Sequence, residues 1–299
     1  MDRLLSTIPP LHAGTVDPTG WLHSDWNPEI STFVGVGAVV ALYVVWTGSK
    51  NRTSKGKEIH PVGRGQRWAF GGSCAALLIA LNPPLEDWAE HYLLVMHMVQ
   101  HLILIFVVAP LLVLGTPGWL LRKLVGRRSL LGAGFALTRP AAAILLSNLV
   151  MVAWHIPAMY DAALTSLPIH VVQHLTFLVT AMLAWWPVMG RMEEWPALSP
   201  LSACVYLFLV GIPSGIVGAF ITFAAPGLYT VYPDAVRIWG LDLKTDQLLA
   251  GLLMWVVTPL FYLLALTIVF FRWSAREDAA EQRGRRGGRH TPAPRPAQS

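Results

Sequence analysis

The chain has 299 residues, of which 54% are hydrophobic and 13% charged, with a net charge of +5. An average soluble domain carries about 25% charged residues, so this balance excludes a soluble enzyme, a disordered scaffold and a disulfide-stapled secreted domain. Cys74 and Cys204 lie too far apart for a CxxC or metal-knuckle spacing. What remains is an all-α polytopic membrane protein.

A bilayer core of about 30 Å takes about 20 apolar residues of helix. Apolar runs predict seven spans, near Thr32–Gly48, Trp68–Leu81, Tyr92–Leu114, Ala141–Ile156, His170–Gly190, Leu201–Phe223 and Leu248–Phe271. The second is short, and parity argues for it: without it, the basic loop before it and the acidic loop after it would share one side. The chain then divides into an N-terminal arm (1–30), a seven-helix domain (31–273) and a basic tail (274–299). The arm lacks the continuous apolar stretch of a signal peptide. It carries His12 and His23, which could serve as auxiliary ligands, although a solvated arm is the simpler reading. The tail is too polar to bury a core and reads as disordered.

Orientation follows from Lys and Arg in the loops. Ser49–Arg67 holds six, Arg122–Arg139 five, the loop around Arg191 one and the tail seven, which makes 19 of the 22 on one side. Only Arg3, Arg237 and Lys244 fall on the other. The N-terminus is therefore expected outside and the C-terminus in the cytoplasm. The basic residues are topological markers in loops flanking apolar runs, so no nucleic-acid partner is expected; the partner they imply is the lipid bilayer.

None of the seven spans as drawn contains Lys, Arg, Asp or Glu, which argues against a proton-coupled transporter or pump. Histidine dominates the polar interior instead. His97, His101, His155, His170 and His174 all fall toward the outer half, with His97 and His101 roughly 8 and 14 Å below a boundary at Tyr92. His97 and His101 are four residues apart on one helix face, and so are His170 and His174. Both pairs sit in an H-x-V-Q-H repeat. Met151 and His155 share the same spacing, and Met98 lies three residues before His101. A lone intramembrane His is often a helix–helix hydrogen-bonding group, but two identical pairs at matched depth fit a metal site better.

Neutral imidazole suits copper, zinc, iron and nickel, and thioether selects Cu(I). A His/Met set without Cys points to copper first, held by His97, His101, His155, His170 and His174 with Met151 or Met98. Gln100 and Gln173 are expected to hold imidazole N–H groups from behind. Acidic residues on the outer rim (Glu86, Asp87, Glu90, Asp161, Asp234, Asp242, Asp246) would raise cation concentration at the mouth or serve as plain solvated charges. One alternative is a membrane cytochrome with a single haem on two of these histidines. Another is a copper permease, which would need donors continuing to the cytoplasmic side, where only Cys74 and Cys204 lie. The Gly211–Gly215 segment is expected to kink the sixth span, and Trp119, Trp185 and Trp186 to lie at the inner interface.

Four separated blocks carry a resemblance: HMVQH leading to Gly-Thr-Pro (His97–Pro117), WHIPAMYDAAL (Trp154–Leu164), HVVQHLTFLVTAMLAWWPVMG (His170–Gly190) and DQLLAG (Asp246–Gly251). Together they resemble the Bacillus-type CtaG family of cytochrome c oxidase assembly factors, over about Phe33 to Phe271. The resemblance implies a non-enzymatic multi-pass protein of the plasma membrane that helps supply copper to a haem–copper oxidase subunit. An unrelated single-span copper chaperone shares the family's name and uses cysteine ligands. This chain has no such motif, so that mechanism does not carry over.

Overall fold

The computed structural model describes residues 30–48, 53–54, 57–58 and 62–288. The expected arm with His12 and His23, the end of the tail beyond 288 and the loop cations Lys50, Arg52 and Lys55 lie outside the described residues. A two-residue antiparallel pairing, β1 (Thr53–Ser54) with β2 (Lys57–Glu58), follows the first helix. Apart from an isolated antiparallel bridge between Met192 and Trp195, the other described residues form helices with connecting turns.

Five helices are individually long and apolar enough to cross a membrane: α1 (Ile30–Thr47), α4 (Leu94–Gly115), α9 (Leu167–Met189), α10 (Pro200–Phe223) and α11 (residues 243–288). Two bent pairs bring the total to seven: α2 (Arg64–Ala80) with α3 (Leu85–Tyr92), turned by 49°, and α6 (Arg128–Leu137) with α7 (Pro140–Trp154), turned by 76°. Short helices α5 (Gly118–Leu124) and α8 (Pro157–Thr165) lie between spans. The second and fourth expected spans are thus the bent ones. The 15 residues of α7 reach only about 22 Å. Pro140 at the first helical position holds Arg139 extended, which starts α7 afresh at a new angle to α6.

One expectation fails at the C-terminal end. The helix does not stop near Phe271 but continues to Gly288. Residues such as Ala275, Arg276, Glu277, Ala279, Ala280 and Glu281 are good helix formers, and an already nucleated helix propagates through them at little cost. A tail too polar to bury a core can still extend an existing helix.

The bundle is built around α9, which packs on α4 and α7, while α11 packs along α10 and also meets α4. Small residues let backbones approach. A Cβ on Gly251 would lie 2.2 Å from Thr222 Oγ1, and one on Gly218 would lie 2.6 Å from the Trp255 nitrogen, so α10 and α11 touch through glycine on both sides. The sixth span breaks its helix at Gly211, just before Ile212 and Pro213, as expected. Trp185 and Trp186, at the end of α9 away from the histidines, are both buried in the bundle, and Trp185 Nε1 donates to the Ile105 carbonyl at 2.8 Å. That carbonyl lies in a π-helical turn of α4 (Leu104–Val108), where wider winding frees backbone oxygens for such partners.

Candidate metal centre

The N-terminal ends of α4 and α9 and the C-terminal end of α7 meet at one end of the bundle, opposite the Arg- and Lys-rich connections at α2, α6 and Arg191. Chain direction brings His97 and His101 (α4), His155 (just past α7) and His170 and His174 (α9) to this end. All five are buried, His97 completely. Ring centroids are 4.3 Å apart for His97–His101, 4.2 Å for His170–His174, 5.5 Å for His101–His174 and 5.8 Å for His97–His170. His155 joins through His101 at 6.3 Å. One nitrogen from each of His97, His101 and His174 can be chosen so that all three lie within 4.8 Å of one another.

The hydrogen bonding of these rings is unusual. Both nitrogens of His97 and His101, and Nε2 of His155, His170 and His174, are buried without a hydrogen-bond partner. A buried polar atom left unpaired costs about 1–3 kcal/mol, so seven in one place demand an explanation that helix–helix bonding does not supply. The two fixed rings tell which nitrogen is available. His155 Nδ1 lies 2.7 Å from the Met151 carbonyl, which can only accept, so the proton sits on Nδ1 and Nε2 keeps its lone pair. His170 Nδ1 is 2.6 Å from Glu90 Oε1, which leaves Nε2 as the donor atom in the same way. A carboxylate behind an imidazole is the arrangement that orients histidine ligands in metal sites.

Met98 and Met151 are buried beside the cluster and line a cavity of about 60 Å³ with His101 and His155. Met159 is 42% exposed and does not join them. The glutamines depart from expectation. Gln100 gives its amide to the Ala80 carbonyl at 2.8 Å, pinning α4 to α2, and its Oε1 has no partner. Gln173 is fully buried with neither amide atom paired. Neither glutamine bonds an imidazole, although each stands three residues after one histidine of its helix and one before the other: Gln100 is committed to α2 and the Gln173 side chain bonds nothing. The partner behind His170 is Glu90, and nothing in the sequence distinguishes it from Glu86 and Asp87 beside it.

Two further supports were not legible. Asp246, read as a rim charge, is fully buried: its carboxylate accepts the Leu94 and Val95 amides at 3.0 and 2.9 Å, with Arg237 Nη1 3.6 Å away. It caps α4 from another helix, satisfying free first-turn amides and the positive helix end together. Gln247 next to it ties the Ile221, Ala224 and Ala225 carbonyls to the Gly227 and Leu228 amides. Above the imidazoles, the Tyr160 ring lies 5.0 Å from His97, and its hydroxyl meets that of Tyr232 at 2.9 Å. Tyr232 in turn donates to the Ala89 carbonyl, and Tyr229 to that of His155. Burial pushes the Tyr160 and Tyr232 hydroxyls well above the ordinary tyrosine range, so both stay protonated as donors. Of the remaining rim acids, Asp161 accepts from the Thr230 amide and hydroxyl, and Asp242 caps the start of α11.

The model of the cytochrome c oxidase caa3 assembly factor family (Caa3_CtaG) matches residues 41–276. The chain belongs to this family. The matched stretch contains every cluster histidine, Glu90, Tyr160 and the capping Asp246. The assembly factor's role at the level of the family, helping build cytochrome c oxidase, comes with that membership. No curated protein and no solved structure matches the chain.

Proposed function

We propose that this assembly factor is a non-enzymatic copper carrier of the plasma membrane, with its histidine cluster facing the extracytoplasmic side. The cluster holds a copper ion as cargo and passes it to the copper site of a haem–copper oxidase subunit by exchange of ligands. The observation that carries the reading is the set of buried imidazole nitrogens without partners, three of them within 4.8 Å of one another. Lone pairs converging in a buried pocket are stabilised by a cation, and imidazole with nearby thioether favours copper. The rings that face each other from different helices, His101–His174 at 5.5 Å and His97–His170 at 5.8 Å, favour an ion over a haem, whose macrocycle would have to part them.

The test is metal content and absorption spectrum on one purified sample loaded with Cu(I). Copper at one equivalent or more per chain that drops by about one equivalent in His97→Ala/His174→Ala, with no Soret band, supports the carrier. Absence of copper, or equal copper in the variant, refutes it, and a Soret band transfers the site to haem.

A further inference from the structure

The imidazoles divide around His101. On one side His97 and His174 offer nitrogens within 4.8 Å of a His101 nitrogen, and the His170 ring follows at 4.2 Å from His174. On the other side His155 stands 6.3 Å from His101, its Nε2 buried and unpartnered. The cavity separates the two sides further. Met98, His101, Met151 and His155 line it, and it continues between α7 and α9 toward Thr180 and Tyr262; His97, His170 and His174 are not among its walls. At about 60 Å³ it has room for an ion or a few waters, since a single water needs about 10–15 Å³. Two methionines and two histidines thus share the wall of one largely apolar cavity, while His97, His170 and His174 lie outside it.

We infer that the cluster has two copper positions that share His101, the inner one specific for Cu(I). This rests on the copper reading above and deepens it. The first position is all imidazole, from His97, His174 and His170. The second is mixed, from His155, Met98 and Met151 at the cavity. The chemistry differs in kind: imidazole accepts several metals, whereas thioether is a soft ligand that selects Cu(I). Both ring nitrogens of His101 are without partners, so this residue can serve either position. Movement between them is ligand exchange with no change of oxidation state. As a Cu–S bond to Met98 or Met151 forms, a Cu–N bond to His97 or His174 breaks, and no electron or proton is transferred.

The experiment is anaerobic titration of the purified full-length chain in detergent with a Cu(I)–acetonitrile complex, followed by X-ray absorption at the copper edge. The wild type is expected to bind about two Cu(I) per chain with sulfur in the first coordination sphere. Met98→Leu/Met151→Leu keeps apolar volume nearly constant and is expected to bind about one, through nitrogen alone, with the melting temperature of the metal-free protein unchanged. His155→Ala is expected to lose the same equivalent. One Cu(I) with nitrogen ligands only in the wild type overturns the second position and leaves the carrier reading standing. So does sulfur scattering that persists in the double Met variant. No bound Cu(I) in any form overturns both.

Discussion

Glu90 is the place where the metal-centre geometry can be tested most sharply. Its carboxylate accepts from His170 Nδ1 at 2.6 Å with a quarter of its side chain exposed. Replacing it with Ala removes the acceptor that fixes the imidazole's tautomer and ring orientation; replacing it with Gln keeps a neutral acceptor and removes the charge. Loss of such a partner costs about 10–100-fold in metal affinity, or about 1.4–2.7 kcal/mol. Partial exposure places Gln near the tenfold end, and Ala, which forfeits the bond as well, near the hundredfold end. The assay is competition for Cu(I) against a chromophoric chelator, with thermal unfolding of the metal-free protein as a control. In a His170→Ala background the Glu90 substitutions should add nothing, because the carboxylate then has no ring to orient. Unchanged Cu(I) affinity in Glu90→Ala, or a full effect of that substitution when His170 is already Ala, refutes the reasoning.

Two other perturbations probe the frame that holds the cluster. Asp246→Ala strands the Leu94 and Val95 amides and leaves Arg237 without its carboxylate, at about 3–5 kcal/mol; thermal unfolding in detergent should show a large drop, with Asp246→Asn intermediate. Gly251→Leu drives a side chain into Thr222, and overpacking of this kind costs about 1–3 kcal/mol. Gly35→Leu meets open space and should leave the unfolding midpoint where it is.

Periodicity and composition made the spans legible because apolar length is a one-dimensional property. The same holds for the histidines: four-residue spacing puts His97 with His101, and His170 with His174, on single faces, and chain direction brings them to one end of the bundle. The polar partners were not legible, since each depends on contacts between distant segments. Asp246 reaches α4 from α11, Glu90 reaches α9 from α3, and Tyr232 reaches Ala89 from the loop before α11. The glutamines show the converse error: closeness in sequence suggested an imidazole partner, and for Gln100 a carbonyl of another helix takes the amide instead. DQLLAG acquires its sense only in three dimensions: Asp246 caps α4, Gln247 gathers the preceding loop, and Gly251 admits α10.

Charge decides which ion such a centre favours. The work of moving an ion from water into a low-dielectric interior grows with the square of its charge and reaches the order of 20 kcal/mol even for a single charge in the idealised limit. Neutral imidazoles and thioethers supply lone pairs but no compensating charge. Among the described residues, Glu90 is the carboxylate in contact with an imidazole of the cluster, while that of Asp246 is engaged by two amides and faced by Arg237. One negative charge balances a monovalent ion and leaves a divalent one with an excess. In the copper reading proposed above, depth and the Glu90 carboxylate at the imidazole position and the soft methionine donors at the cavity would each act toward Cu(I). On that reading a carrier would need no cysteine thiolate to prefer the reduced ion, and neutral ligands would let copper go to an acceptor that offers charge.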